Sequence, residues 1–487
     1  MQYLIAYDFG TTGVKTCLFG AEQDIRLIAS AYAGYGLYIL PDGGAEQDAE
    51  LWWQYAAEAV AAAVKKAGID PKEAAGISVS SQGCAFVPVG CDGKPLANAI
   101  SWYDTRALPQ ARALYARYGE KALFYRLGHP AESLVFPELL RLKEEAPELY
   151  QKTWKFLMPH DYLICRMTGR AVTDPSMASG SMCYDVPAGT WARDLLREYG
   201  IDEEKLPELC EAGTVAGTLL PEAAAQMGLC CDTVVAVGMQ DQKIAALGAG
   251  IRTGNITVSL GTASAVETLC KSPQRDAQMQ VQCHGFGSGM WALENSVDTA
   301  GAALKWARRT FCADLSYREM DALAAETASG ANGVCFYPLL YRGTTDRNQG
   351  CFDGLGLETS RADLIRAVLE GVACAIRACA ERQKALNPDV QTAKRLTLYG
   401  GGSASSVWCQ IIADITGMEV TLPATQETGN LGAAICAGVG AGRFPTLWDG
   451  QKAMCGEVRS VYLPDKTHRA ACEMQYKRYL KLKEEAQ

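Results

Sequence analysis

The chain has 487 residues and a formal net charge of -9 at pH 7. A chain of this length is expected to form two or three domains rather than one core. The acidic charge argues against nucleic-acid binding, which usually depends on a basic face. No apolar run approaches the roughly 20 residues that span a bilayer, so no membrane contact is predicted. The 19 cysteines are scattered along the chain and no signal peptide is predicted, so we expect free thiols in a reducing cytoplasm.

The first predicted elements are two apolar strands within residues 2–19, joined by a Gly-Thr turn at residues 10–13. Glycine there lets the backbone approach a ligand, and the N–H groups and hydroxyls of such a turn suit phosphate oxygens. Asp8 lies at the end of the first strand, where a carboxylate can hold Mg2+ directly or through water. Lys15 could add positive charge. For an isolated motif of this kind, an Asx-type turn between two hairpin strands is the alternative interpretation.

The next predicted elements are a helix over 49–66, a buried strand over 75–89 with a polar turn at 80–83, a strand over 98–102, and helical patterns over 107–126 and 136–145. A compact strand over 233–238 then leads to Asp241. A carboxylate at the end of a strand is well placed as a general base for a substrate hydroxyl. It could equally cap the helix that begins near Ile244, and spacing alone does not separate the two roles.

The second half of the chain repeats this pattern of strands, turns and helices. A strand running into Gly261 and Thr262 echoes the first turn about half a chain length later. This echo indicates two related domains that face each other across a bound nucleotide. Strands alternate with helices throughout, so the predicted fold class is α/β. Glycines punctuate residues 248–254, and we therefore expect the domains to be residues 1–250 and 251–487.

A helix is predicted over 299–310, and a long core helix over 361–386, where apolar residues recur at i, i+3 and i+4. A strand over 395–399 leads into three glycines, residues 400–402, that open a helix through 415. Glycines at a helix N-terminus permit close approach of a phosphorylated or planar ligand. The chain has neither a Walker A loop nor a dinucleotide-binding GxGxxG turn. A last helix over 431–440 is expected to precede a less regular tail.

Taken in order, these motifs resemble those of the FGGY carbohydrate kinases, and of xylulokinases among them, within the actin/hexokinase/sugar-kinase superfamily. The resemblance extends from Ile5 to about Phe444 and includes further family landmarks. These landmarks are Glu46-Gln47-Asp48, Trp102-Tyr103-Asp104-Thr105-Arg106, His160-Asp161-Tyr162, Thr173-Asp174, Ser179-Gly180 and Arg366-Ala367-Val368-Leu369-Glu370-Gly371. The resemblance implies two ribonuclease-H-like domains with an ATP cleft between them.

The resemblance also implies ATP and Mg2+ as cofactors. Asp241 would be the catalytic base that accepts the proton of a sugar hydroxyl attacking the γ-phosphoryl group, and Asp8 would position the metal. The implied cofactor-binding residues are Thr11, Thr12, Gly13, Lys15, Gly261, Thr262, Gly301, Lys305, Gly401, Gly402 and Ser406. A homodimer is compatible with the resemblance, although nothing in the sequence marks an interface.

The substrate implied by the resemblance is a small sugar or polyol. The implied substrate-binding residues are Gln82, Gly83, Cys84, Trp102, Asp104, Asp241 and Gln242. Glycerol kinases carry an Arg-Glu pair where Gly83 and Cys84 stand, and D-xylulose kinases carry Met-His there but agree at Gln82. The pair Gln82-Gly83 is closer to the pattern expected of kinases for L-xylulose or erythritol-like substrates, and we expect a ketopentose such as xylulose. A polyol kinase of the erythritol or glycerol type and a non-catalytic sugar-binding regulator on the same fold are the alternatives.

Overall fold

The computed structural model of this protein describes residues 2–21, 26–340 and 350–486. The chain folds into two compact units. The first contains residues 1–248, 270–292 and 427–455, and the second contains residues 249–269, 293–426 and 456–487. A boundary near residue 250 separates the longest segments of the two units. Two segments later in the chain, residues 270–292 and 427–455, belong to the first unit. The assignment of sugar binding to one half of the chain and adenosine binding to the other stays a prediction.

The elements before residue 250 alternate between strand and helix. The strands are β1 (Tyr3–Phe9), β2 (Gly13–Gly20), β3 (Leu27–Gly34), β4 (Tyr38–Ile39), β5 (Ala45–Gln47), β6 (Ala74–Ser81), β7 (Val87–Val89), β8 (Ala99–Ile100), β9 (Lys155–Leu157), β10 (Val172–Thr173), β11 (Tyr184–Asp185), β12 (Thr190–Trp191), β13 (Glu208–Leu209), β14 (Val215–Thr218), β15 (Val234–Ala236) and β16 (Met239–Gln240). The helices are α1 (Ala49–Ala67), α2 (Leu108–Tyr118), α3 (Glu120–Leu127), α4 (Val135–Glu145), α5 (Pro147–Lys152), α6 (Pro159–Thr168), α7 (Pro175–Ser179), α8 (Arg193–Glu198), α9 (Pro221–Met227) and α10 (Asp241–Gly248).

The rest of the chain follows the same alternation. The strands are β17 (Ile256–Ser259), β18 (Ser264–Cys270), β19 (Gln282–Gly287), β20 (Met290–Val297), β21 (Cys335–Tyr337), β22 (Cys351–Asp353), β23 (Arg395–Tyr399), β24 (Glu419–Leu422) and β25 (Ser460–Tyr462). The helices are α11 (Gly301–Phe311), α12 (Tyr317–Glu326), α13 (Arg361–Leu386), α14 (Ser406–Thr416), α15 (Thr428–Gly440), α16 (Leu447–Met454) and α17 (Arg469–Ala486).

The two main sheets have the same internal order, which confirms the prediction of an α/β fold with two related halves. The first runs β3-β2-β1-β6-β15-β14, and the second contains β20-β18-β17-β23-β24-β25. In each sheet a central strand pairs antiparallel with the next strand of the chain and parallel with a later strand: β1 with β2 and β6, and β17 with β18 and β23. Parallel strands end at the same edge of a sheet, where α/β proteins build their ligand sites.

The core of the second unit surrounds α13, which has the predicted bounds. Ser360 and Asp363 form a capping box at its start, and this satisfies backbone N–H groups that have no partner within the helix. Ile365, Val368 and Val372 are completely buried, as the helical spacing of apolar residues predicts.

Two predictions about helices are wrong. The predicted helix over 107–126 is two helices, because Gly119 between α2 and α3 has a φ of 86°, which glycine adopts without strain and which ends an α-helix. The predicted irregular tail contains α16 and the long α17. The buried residues of α17, Cys472, Gln475, Tyr476 and Tyr479, recur at helical spacing on an otherwise polar segment.

Two predictions from composition can be compared with the structure. All 19 cysteines lie among the described residues, and all are free thiols. Within the described parts of the chain, no helix is both long enough and apolar enough to cross a bilayer.

Candidate active site

The first Gly-Thr turn is a closed loop between β1 and β2. The Gly10 N–H donates to the Gly13 carbonyl oxygen at 3.0 Å, and the Tyr35 hydroxyl donates to the carbonyl oxygens of both glycines. A Cβ at Gly13 would lie only 2.7 Å from the Ala33 carbonyl oxygen. Glycine is therefore required for close backbone packing, and Thr11 and Thr12 lie at the tip of the turn. The role of this turn in binding phosphate stays a prediction.

Two side chains from elsewhere in the first unit hold Thr11. The Gln47 side-chain amide donates to the Thr11 carbonyl oxygen at 2.7 Å, and the Trp102 indole donates to the Thr11 hydroxyl at 3.2 Å. Trp102 is 41% exposed and stacks on Tyr103 with 3.8 Å between ring centroids. The predicted substrate residue Trp102 therefore lies directly beside the predicted phosphate turn.

Asp8 and Lys15 stand opposite each other in the β1–β2 register. The Ser80 hydroxyl, on the neighbouring strand β6, donates to Asp8 Oδ1 at 3.1 Å. Burial raises the pKa of Asp8; the Ser80 hydrogen bond lowers it, the charge of Glu427 raises it and that of Lys15 lowers it. The Lys15 ammonium forms an ion pair with the Glu427 carboxylate. Sequence reasoning missed Glu427, because 412 residues separate it from Lys15.

The surroundings of Asp8 fit a magnesium ion. Asp8 supplies a carboxylate and Ser80 a hydroxyl 3.1 Å from it, and such oxygen atoms are the ligands that Mg2+ prefers. In the described parts of the chain, no three His, Cys, Asp or Glu side chains form a cluster that could hold a metal ion. Mg2+ does not need such a cluster, because it is commonly bound by one or two carboxylates, waters and substrate phosphates.

Asp241 is the first residue of α10, so the helix begins three residues before the position near Ile244 that the sequence suggested. Its Oδ1 atom accepts from the Gln242 N–H at 2.7 Å and from the Gln240 side-chain amide. These contacts belong to a helix start, and the side chain is only half-buried. The structure therefore places Asp241 at the start of the helix, and its role as a general base stays a prediction.

The loop before Asp241 is fixed by a buried network of landmark residues. The Gly238 N–H donates to His160 Nε2 at 2.8 Å, and His160 Nδ1 lies 2.9 Å from Asp161 Oδ1. Because Nε2 accepts, the ring proton is on Nδ1 and faces the carboxylate. A Cβ at Gly238 would overlap the Val79 carbonyl oxygen and lie 2.7 Å from its carbon. The backbone of this loop therefore packs in direct contact with the backbone of β6.

A second buried chain of hydrogen bonds reaches the residue next to Asp241. The Gln240 N–H donates to the Ser176 hydroxyl at 2.9 Å, and that hydroxyl donates to Asp174 Oδ2 at 2.7 Å. Asp174 is completely buried, and burial raises its pKa to about 6. Ser176 is absent from the residues predicted to form the site, and it is the direct support of the Asp241 loop.

The predicted sugar-contacting stretch lies beside the Asp241 loop. A Cβ at Gly83 would lie 3.1 Å from Gln240 Cγ. Gln82 is 2% exposed, and its amide nitrogen donates to Gln47 Oε1 at 3.1 Å. Its own Oε1 is buried and has no hydrogen-bond partner among the described residues. A buried carbonyl of this kind needs a donor, and a ligand hydroxyl could supply one.

Cys84 and Asp104 differ in how they could serve a substrate. Cys84 has a φ of 68°, an uncommon conformation for a residue with a side chain. Asp104 is buried, and its carboxylate accepts from the Ala45 N–H at 2.9 Å and from the Arg106 guanidinium at 2.7 Å. The structure thus gives Asp104 protein partners on both sides, and its contact with sugar stays a prediction.

Three predicted nucleotide motifs converge in the second unit. The Gly301 N–H donates to the Gly261 carbonyl oxygen at 2.9 Å, and the Gly402 N–H donates to the Leu260 carbonyl oxygen at 2.8 Å. The parallel pairing of β17 and β23 brings these turns to one edge of the sheet. Four predicted cofactor-binding residues are exposed at this edge or on the helices that follow: Thr262, Lys305, Gly401 and Ser406. The turns that the sequence placed far apart are therefore neighbours.

Comparison with known proteins agrees with the motif order. Residues 3–248 match the FGGY family of carbohydrate kinases, N-terminal domain, and residues 256–441 match its C-terminal domain. A xylulose kinase of Bacillus subtilis (strain 168) is 31% identical over 469 residues, which cover 95% of this chain and 93% of that protein. An autoinducer-2 kinase of Salmonella typhimurium is 30% identical over 468 residues, covering 92% and 87% of the two chains. The crystal structure of a ligand-bound xylulose kinase from Lactobacillus acidophilus has a TM-score of 0.91 and 25% identity, covering 99% and 98%.

Proposed function

Because the chain belongs to the FGGY family of carbohydrate kinases, we propose that this sugar kinase transfers the γ-phosphoryl group of ATP to a hydroxyl of a ketopentose, with xylulose the first substrate to test. The observation that carries the proposal is the placement of Gly83 against Gln240, 3.1 Å from an added Cβ to Cγ. This contact supports a sugar position near Asp241, because Gln240 immediately precedes Asp241. A hydroxyl bound there would lie next to a carboxylate able to accept its proton.

In this mechanism each residue has a defined task. Asp241 accepts the proton of the attacking hydroxyl, and the network through Ser176 and His160 keeps its loop in place. The first Gly-Thr turn and its counterpart at Gly261 bind phosphate oxygens through N–H groups and hydroxyls. Mg2+ bound through Asp8 would supply charge neutralisation at the phosphates. Phosphoryl transfer needs little covalent chemistry from the protein, so positioning and electrostatics account for most of the catalysis.

The choice of a ketopentose rests on the sugar-contacting stretch. Relatives named for xylulose and for autoinducer-2 are 31% and 30% identical to this chain, so overall identity does not decide the substrate. The buried Oε1 of Gln82 has no hydrogen-bond partner among the described residues, and a site with such a group rejects substrates that leave it unpaired. Gly83 and Cys84 are small and uncharged, which disfavours the paired charged contacts expected of a glycerol site.

The experiment is an ADP-release assay with Mg-ATP against D- and L-xylulose, both ribuloses, ketohexoses, erythritol, pentitols, glycerol, gluconate and autoinducer-2. We expect one xylulose enantiomer to give the highest kcat/KM. The Asp241→Asn variant serves as the control, because it retains the nucleotide site and lacks the base. Turnover of erythritol above every ketose would support the second candidate, a polyol kinase, which the small Gly83-Cys84 pair also accommodates.

The third candidate function is a sugar-binding regulator without catalytic activity, and the same assay distinguishes it from both kinases. Such a protein would bind sugar and ADP without releasing ADP from ATP in the presence of any substrate. The cytoplasmic location and the homodimer stay predictions, and gel filtration combined with light scattering would test the dimer.

A further inference from the structure

The ion pair between Lys15 and Glu427 is built into the first unit beside Asp8. Lys15 stands opposite Asp8 in the β1–β2 register, and Glu427 immediately precedes α15. The side chains of Lys15 and Glu427 are 36% and 28% exposed, so both can be reached by a ligand. An ion pair with this exposure contributes little to stability, so folding by itself does not require it.

The helix that carries Glu427 is anchored on the strands that carry Asp8 and Lys15. The Asn430 side-chain amide donates to the carbonyl oxygens of Ala6 at 2.9 Å and of Lys15 at 3.1 Å. Gly429 approaches the Asp8 carboxylate with no room for a side chain. The start of α15, and with it the backbone of Glu427, is therefore held beside β1 and β2 by contacts other than the ion pair.

Close packing between α15 and α10 strengthens this placement. A Cβ at Gly248 of α10 would lie 2.8 Å from the Gly432 nitrogen of α15. The two helices therefore touch at backbone distance, which only glycines permit. The helix that begins with Asp241 and the helix that follows Glu427 therefore form one closely packed pair in the first unit.

The charges at this place oppose the binding of metal-free nucleotide. Asp8 and Glu427 carry two negative charges against the single positive charge of Lys15. The Glu427 carboxylate pairs with the Lys15 ammonium, which is the group of this strand pair predicted to bind phosphate. A nucleotide without a metal would meet the Asp8 carboxylate and a lysine whose ammonium is already paired with Glu427. A divalent cation changes this balance, because it compensates the carboxylates and leaves the ammonium available.

We propose that Glu427 is a positioning residue that makes nucleotide binding depend on Mg2+, by retaining the Lys15 ammonium until a divalent cation enters beside Asp8. This inference rests on the proposed ATP-dependent function. Glu427 lies outside all the motifs that resemble those of the family. Its measurable consequence is a coupling between metal and nucleotide, which is a property of binding and not of turnover.

The test measures the dissociation constant of ADP by isothermal titration calorimetry, once with Mg2+ and once with EDTA. The ratio of the two constants is the coupling factor. We expect Glu427→Gln to lower the coupling factor at least about fivefold, the lower end of typical coupling energies, mainly through tighter binding of ADP in EDTA. Thermal unfolding of each variant without ligand checks that the fold is retained.

Glu50→Gln is the matched control. Glu50 lies in the first turn of α1 and pairs with Arg166 at 3.0 Å, so the substitution removes an ion pair at another helix start in the same unit. The coupling factor of this variant should equal that of the wild type. In a Lys15→Gln background, Glu427→Gln should change the affinity for ADP in EDTA less than twofold, because the ammonium is already absent.

The outcomes separate this inference from the proposed function. A wild-type protein that binds no ADP with or without Mg2+ overturns both. Binding by the wild type with an unchanged coupling factor in Glu427→Gln overturns only the role of Glu427. A full effect of Glu427→Gln in the Lys15→Gln background shows that the carboxylate acts without Lys15, and this also overturns the inference.

Discussion

Gly301 and Gly401 allow a matched test of how the second unit builds its nucleotide turns. A Cβ at Gly301 would overlap the Gly261 carbonyl oxygen and lie 3.2 Å from its carbon, whereas a Cβ at Gly401 would meet no described atom within 4 Å. Replacing glycine by alanine at an unstrained position stabilises a protein by about 0.4–1 kcal/mol, through the entropy of the unfolded chain. Overpacking against backbone destabilises by about 1–3 kcal/mol. At Gly301 the destabilisation by overpacking therefore exceeds the entropic stabilisation. At Gly401 only the entropic stabilisation applies, because nothing lies close to the added Cβ.

We expect Gly301→Ala to lower the free energy of unfolding by roughly 1–2 kcal/mol and Gly401→Ala to leave it unchanged or slightly raised. Because the Gly301 N–H also donates to the displaced carbonyl, the Gly261 turn should move as well. We also expect ADP to bind about tenfold more weakly, a loss of about 1.4 kcal/mol in binding free energy. Urea unfolding followed by tryptophan fluorescence and calorimetric ADP titration measure the two effects. Equal stability and equal ADP affinity of the two variants would refute the argument from close packing.

Three further predictions concern the first unit. Asp241→Asn should lower kcat by about 10²–10⁴-fold with ADP affinity unchanged, and wild-type turnover would contradict its role as base. Ser176→Ala leaves the Gln240 N–H without its acceptor, so stability should fall by about 1–3 kcal/mol and kcat should fall more than ADP affinity; an unchanged kcat would show that the loop does not need this support. Burial, and then the charges of Lys243 and His129, lower the pKa of His284 well below its usual value. Below about pH 6.5 this histidine is therefore protonated in the unfolded chain but stays neutral in the folded protein. As a result, the free energy of unfolding should fall by about 1 kcal/mol between pH 6.5 and 5.5. Asp174 has the opposite effect on the free energy of unfolding in this range, because its raised pKa makes the folded protein the state that binds the proton more readily. The difference between wild type and His284→Asn in urea unfolding isolates the histidine, and equal pH slopes would contradict the prediction.

The sequence by itself determined the elements whose signal is local. The bounds of α13 follow from apolar spacing over neighbouring turns, and the strand before Gly400 has the predicted bounds because a short β-branched and apolar run ends at glycines. The two Gly-Thr turns were recognisable because glycine and hydroxyl residues are needed at adjacent positions. The order of these motifs was sufficient to indicate the family, since each motif is carried by consecutive residues.

The tertiary structure decided which distant residues meet. Glu427 and Gly429 reach Asp8 only because α15 packs across β1, and no periodicity near residue 427 indicates that neighbour. Asp104, predicted as a sugar ligand, receives protein donors from Ala45 and Arg106, which the sequence pattern could not reveal. Hydrophobic periodicity reports which face of one element is buried. Ion pairs, unpaired buried carbonyls and backbone contacts at glycine depend on how whole strands and helices pack, so they become visible only in the folded protein.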